Sequence, residues 1–202
     1  MKADISITQM IMIEKQVKDF ISNNNLDINN YTIEDVSKIL NIEEDGQCST
    51  EETKLYIDDN GVKHITFKKD LSEMQKQFER VHEYGHIILD DPLPATRPDG
   101  HGKSLMEQRA DYAGAALLLP FEKVLLFLLK NNYIELYEKE RSELILHFCE
   151  QHNIDTLVFL RRIEEVRLLL KNDYYTDIEN LAKQFGSLND LFRRLERLKT
   201  SL

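Results

Sequence analysis

The chain has 202 residues, 42% of them hydrophobic, which is enough for one sizeable domain, or one plus a small appendage. Its net charge of −10 argues against direct nucleic-acid binding, and no apolar run approaches the roughly 18 residues that a membrane span needs. Cys48 and Cys149 lie far apart with no C-x-x-C spacing, and no signal-peptide cleavage site is evident, so free thiols in a reducing cytoplasm are expected.

Residues 5–24 place Ile5, Ile7, Met10, Ile11, Ile13, Val17, Phe20 and Ile21 at helical spacing, and the polar residues 22–25 end that helix. Thr32 is the expected N-cap of a second helix through Leu40, with Glu34 and Asp35 in its first turn. Residues 43–52 are polar and read as a loop. Residues 54–58 and 62–68 read as short strands joined by Asp59-Asn60-Gly61, a good hairpin signal. One of these strands is expected to edge a substrate cleft, where an extended peptide adds through main-chain hydrogen bonds.

A third helix follows. Asp70 is its candidate N-cap, with Glu73 three positions on, and Leu71, Met74, Phe78, Val81 and Ile88 recur at steps of three or four. It carries His82-Glu83-Tyr84-Gly85-His86, the pattern H-E-x-x-H, and Asp91-Pro92 is expected to end it. Residues four apart share a helix face, so His82 and His86 can close on one Zn²⁺. Glu83 then falls beside the open coordination position, where it can take a proton from bound water. The spacing therefore specifies metal-assisted hydrolysis.

The Pro-rich stretch 92–104 reads as a loop; His101 in it is a candidate transition-state donor, but reads more simply as a solvent-exposed loop residue. Glu107-Gln108-Arg109-Ala110-Asp111 then gives E-x-x-x-D, with Glu107 the candidate third ligand. Asp111, one turn on, can accept the outer N–H of a ligating imidazole. Alone the pair is an ordinary charged helix face; H-E-x-x-H gives it its meaning. Ala110, Ala113, Gly114, Ala115 and Ala116 keep this helix slim, so that two helices sharing a metal can approach, and Pro120 stops it. Tyr84 and Tyr112 are further candidates to stabilise an oxyanion, although packing suits Tyr84 better.

From Phe121 the chain reads as helical, through residues 121–130, 141–151 and 157–170. Residues 159–166 and 191–198 echo one another faintly. Arg161, Arg162, Arg193 and Arg194 in that echo are a candidate nucleic-acid contact, but adjacent acids neutralise them and a partner-docking surface fits better. His64, His147 and His152 have no ligand spacing. The acidic excess lies wholly in residues 1–140, which favours basic partners or substrate segments there.

The run from Phe78 through Val81-His82-Glu83-Tyr84-Gly85-His86 to Leu89, then Glu107-Gln108-Arg109-Ala110-Asp111, then Leu117-Leu118-Leu119-Pro120, resembles the ImmA/IrrE family of zinc-dependent metallopeptidases. That family's pattern is H-E-h-G-H, an E-x-x-A-[ND] segment and a closing L-L-x-P. The resemblance implies His82, His86 and Glu107 as zinc ligands, Glu83 as general base and Asp111 behind the ligands. Tyr84, Arg109 and Ala113 depart from common family residues and bear on pocket shape. Residues 144–162 are similar to a short helix-turn-helix-like unit that packs on the family's protease core.

The resemblance further implies a cytoplasmic protease, of bacterial or mobile-element origin, that cuts a helix-turn-helix repressor and so releases gene expression. The expected fold is α+β and mostly helical, with a small β-sheet beside the H-E-x-x-H helix and a helical C-terminal region. Residues 1–140 form the expected metallopeptidase core and residues 141–202 pack on it, with a candidate small appendage from residue 172. The alternative is a zinc-binding regulatory protein that binds a repressor or antitoxin without cleaving it; the intact Glu83 argues against this. A regulator acting on DNA through the C-terminal helices is a third reading, opposed by their balanced charge.

Overall fold

The computed structural model describes residues 5–28, 30–49, 52–92, 104–174 and 187–200. They are mostly helical with one three-stranded sheet, an α+β composition, and the chain groups into two compact units, Met1–Leu118 and Leu119–Leu202. No single helix among the described residues is long and apolar enough to cross a membrane.

In the first unit, helix α1 (Ile7–Asn23) starts at Ser6, whose hydroxyl accepts from the Gln9 amide while the Gln9 side chain returns to the Ser6 amide. Met10, Ile13, Val17 and Ile21 bury one face, and Glu14 is buried among them. Helix α2 (Ile33–Leu40) is capped as expected by Thr32, with Asp35 completing the box.

The three strands are β1 (Ile42–Ser49), β2 (Lys54–Ile57) and β3 (Lys63–Lys68). Strand β3 is central, parallel to β1 and antiparallel to β2. The hairpin between β2 and β3 is as expected: Gly61 supplies a φ of 81°, and the Asp58 carboxylate accepts from the amides of Asn60 and Val62. Strand β1 corrects the loop expected over 43–52. Glu43 and Glu44 have no strand propensity; pairing with His64 and Ile65 of β3 makes them a strand. An edge position tolerates their exposed acids. Ile65 is fully buried on the central strand, so β1 and β2, not β3, are the edges open to an extended peptide.

Helix α3 (Glu73–Ile88) carries the H-E-x-x-H residues. It begins at Ser72, not Asp70: Ser72 and Gln75 form the capping box, while Asp70 takes a φ of 65°, outside helical geometry. The sheet lies beside this helix. Arg80 of α3 pairs with Glu44 of β1, and its guanidinium sits 5.2 Å over the Phe67 ring of β3. Helix α4 (Leu105–Leu118) packs directly on α3. A Cβ at Gly85 would lie 2.5 Å from the Ala110 carbonyl oxygen, and one at Gly114 would lie 2.5 Å from that of Val81. Each helix thus receives the other's backbone in a glycine notch, flanked by the buried Ala113, Ala115 and Ala116.

The second unit holds α5 (Phe121–Lys130), a 3₁₀ turn (Tyr133–Glu135), α6 (Glu138–His152), α7 (Thr156–Lys171) and α8 (Leu188–Thr200). Helices α6 and α7 meet at Asn153, a left-handed C-cap, and Asp155 caps α7. Phe127, Phe148 and Phe159 form an aromatic cluster with centroids 4.4–5.0 Å apart.

The sequence echo acquires a physical meaning here. Phe159, Ile163 and Val166 are buried on α7 as Leu191, Leu195 and Leu198 are on α8. The matching arginines each donate to a main-chain carbonyl flanking or ending α5: Arg162 Nε to Leu119 O at 2.9 Å and Arg194 Nη1 to Leu129 O at 2.9 Å. Arg161 pairs with Glu165 and Arg193 with Asp190, so all four serve internal contacts.

Arg162 has no exposed surface and faces the buried Glu165, whose carboxyl is pushed up by burial. Arg162→Leu is expected to cost about 3 kcal/mol, at the lower end for a broken buried pair because Arg161 still holds Glu165. Urea denaturation checks this; an unchanged midpoint would refute it.

Candidate metal centre

Helical spacing puts His82 and His86 on one face of α3, with ring centroids 4.9 Å apart and planes at 88°. Glu107 comes from the first turn of α4, where the Ser104 hydroxyl accepts from its amide. Its carboxylate spans both rings: Oε2 lies 3.3 Å from His82 Nε2 and Oε1 3.5 Å from His86 Nε2. The ligand atoms of these three residues all fall within 4.8 Å of one another, and all three side chains are buried.

Each ring is held from behind. His82 Nδ1 lies 2.9 Å from Asp111 Oδ1, the residue one helical turn beyond Glu107. His86 Nδ1 lies 3.0 Å from Asp91 Oδ2. A ring held at Nδ1 from behind presents Nε2 inward, so both imidazoles are oriented to bind a cation at Nε2. Two imidazoles and a carboxylate suit a borderline divalent metal such as zinc. Buried donors converging on one point fit such an ion.

The electrostatics of the metal-free site are asymmetric. Burial opposes charge on His82, but the hydrogen bonds to Asp111 and Glu107 and the charges of Asp111 and Glu83 outweigh it, pushing its pKa up to about 9. His86 is pushed down, by burial first and also by the charge on His82, against the bond to Asp91. In the metal-free site His82 therefore carries a second ring proton near neutrality, on the Nε2 that faces Glu107.

This has two consequences of definite sign. Without metal, the stabilisation from His82 is fully present below about 6.5 and is lost as pH rises through about 9. Metal must expel that proton, so apparent zinc affinity should fall about tenfold per pH unit as pH drops below about 9, with roughly one proton released per ion at pH 7. Chelator competition at several pH values, with proton release in weak buffer, reads this directly. Flat affinity across the range would show that His82 carries no such proton.

Glu83 is 5% exposed, next to His82 on α3, and close enough for its charge to act on that ring. Tyr84 is fully buried and packs, as its motif position suggests. Tyr112 is not available to an oxyanion: its buried hydroxyl donates to Glu14 of α1 at 2.7 Å. His101 and its loop lie outside the described residues.

Asp91 is the site residue that sequence reading missed, having taken Asp91-Pro92 only as a helix stop. It stands five positions after His86, off the helical register, and only the geometry of the turn brings it back.

Compared with models of protein families, residues 42–156 match the one described as Peptidase_M78, the IrrE N-terminal-like domain. The match spans both motif segments. No curated protein and no solved structure matches the chain.

Proposed function

The chain belongs to the IrrE N-terminal-like peptidase family, and from that premise we propose that it is a zinc-dependent endopeptidase whose substrate is a helix-turn-helix repressor-type protein. The observation that carries this reading is the buried set His82, His86 and Glu107, with Glu83 adjoining it on the same helix. Zinc at such a site supplies Lewis acidity, lowering the pKa of bound water toward about 7 and polarising the scissile carbonyl. His82, His86 and Glu107 hold the ion. Glu83 accepts a proton from the attacking water and hands it to the leaving amine nitrogen. Asp111 keeps the His82 ring aimed inward.

The acidic excess of residues 1–140 supports a basic substrate segment, as DNA-binding proteins carry. On this reading the enzyme acts in the cytoplasm and derepresses genes of its host or of a mobile element.

The test incubates the zinc-loaded protein with repressor-type proteins encoded beside its gene, with Glu83→Gln in parallel. Cleavage by the wild type alone supports the proposal. A repressor that binds both proteins and stays intact selects the binding-only alternative. Hydrolysis of general peptides, with no action on any repressor, keeps the peptidase and removes the repressor.

A further inference from the structure

We propose that Asp91 is a positioning residue for His86, delivered by the turn that ends α3, and that it fixes which ring nitrogen of His86 faces the metal centre. The statement about ring orientation stands by itself; its consequence for zinc rests on the function proposed above.

The argument starts from the backbone. Leu89 is the C-cap of α3, and Asp90 follows in the left-handed region with a φ of 56°. The Asp90 amide donates to Ile87 O at 3.1 Å and the Asp91 amide to His86 O at 2.9 Å. These are the two bonds of a Schellman motif, which closes a helix by folding the chain back over its last turn.

The residue whose amide satisfies the His86 carbonyl is thus the one whose carboxylate meets the His86 ring, at 3.0 Å. His86 is gripped at two points by one neighbour. In an unbroken helix of about 3.6 residues per turn, the fifth residue on would stand roughly 140° round from His86, so the reversal is required for the contact.

Two further features rigidify the grip. Pro92 disfavours helical geometry at the residue before it. The Asp91 side chain is 8% exposed, so water competes little for its oxygens. Among the described residues, Glu107 also approaches the His86 ring, 3.5 Å from Nε2, as does the edge-on ring of His82.

The two imidazoles are therefore oriented by different means. Asp111 reaches His82 from α4, whereas Asp91 reaches His86 from the end of α3 itself. The Nδ1 contact of His86 is local to one helix terminus, whereas that of His82 needs α4 in place.

The test compares full-length wild type, Asp91→Ala and Asp91→Asn by two readouts. Ring-nitrogen NMR of the metal-free protein reports the His86 tautomer, and chelator competition reports zinc affinity. Wild type should show His86 protonated at Nδ1. Asp91→Ala should lose that preference and bind zinc about 10–100-fold more weakly. Asp91→Asn, whose side-chain oxygen still accepts, should keep the tautomer and recover most of the affinity.

A wild-type tautomer and affinity in Asp91→Ala would overturn the proposal. Should Asp91→Ala not fold, Asp91→Ser decides by the same readouts. If the tautomer shifts as expected but the wild type itself takes up no zinc, the role of Asp91 stands and the zinc reading falls.

Discussion

Glu83→Gln is expected to retain one zinc per chain and to lose peptide hydrolysis by about 10²–10⁴-fold. The amide has nearly the volume of the carboxylate and replaces it in a buried position, so packing is kept. What it lacks is a site that accepts a proton from water. The side chains of His82, His86 and Glu107 are untouched, so the loss should fall on kcat with KM little changed. The same substitution removes a charge that helps hold the proton on His82. Proton competition against zinc should therefore weaken at a given pH, separating Glu83→Gln from a variant that merely disturbs the site. Metal content and hydrolysis measured on one preparation decide the matter; full turnover in Glu83→Gln would move the base to another group.

Gly114→Ala should destabilise the protein by about 3 kcal/mol, and Gly114→Val by more than about 5, comparable to the whole stability of a domain. In an exposed helix the alanine change would stabilise by about 1 kcal/mol, so its sign is diagnostic. Here the new Cβ would stand 2.5 Å from Val81 O, 2.7 Å from Val81 C and 2.9 Å from His82 N. All three are backbone atoms, which cannot rotate away, so α3 or α4 must shift bodily. Since one of those atoms belongs to His82, zinc affinity should fall with stability. Gly85→Ala makes the reciprocal intrusion, 2.5 Å from Ala110 O. Thermal and urea unfolding of each variant are the measurement; a Gly114→Ala protein that melts at or above wild type would sink the notch argument.

The buried cluster of His82, His86 and Glu107 was legible in the sequence because its information is largely local. His82 and His86 are related by helical spacing alone, and Glu107 and Asp111 by the same rule on the next helix. Thr32 as a cap and Asn60-Gly61 as a turn are equally local signals. Strand β1 was illegible because Glu43 and Glu44 become a strand only through β3, roughly twenty positions away. The start of α3 was misplaced because Asp70 and Ser72 are both good caps, and the left-handed backbone at Asp70 decides between them. Asp91 escaped for a similar reason, since its role depends on the sign of φ at Asp90. The hydroxyl of Tyr112 stood as an oxyanion candidate because its partner, Glu14, sits on a helix far away in sequence.

His82, Glu83, His86 and Asp91 come from one helix and its closing turn, and Glu107 and Asp111 from the helix that follows. In folding terms the centre is a low-contact-order element: only a short connection must close before its donors meet, and the entropy of that closure is small. A bound ion then acts as a staple on this pair of helices rather than on the chain at large. At a thousandfold excess over Kd it would raise the free energy of opening them by about 4 kcal/mol. With the ion bound, the α3–α4 pair would therefore outlast its own metal-free form, and its opening would be governed by metal supply as much as by its packing.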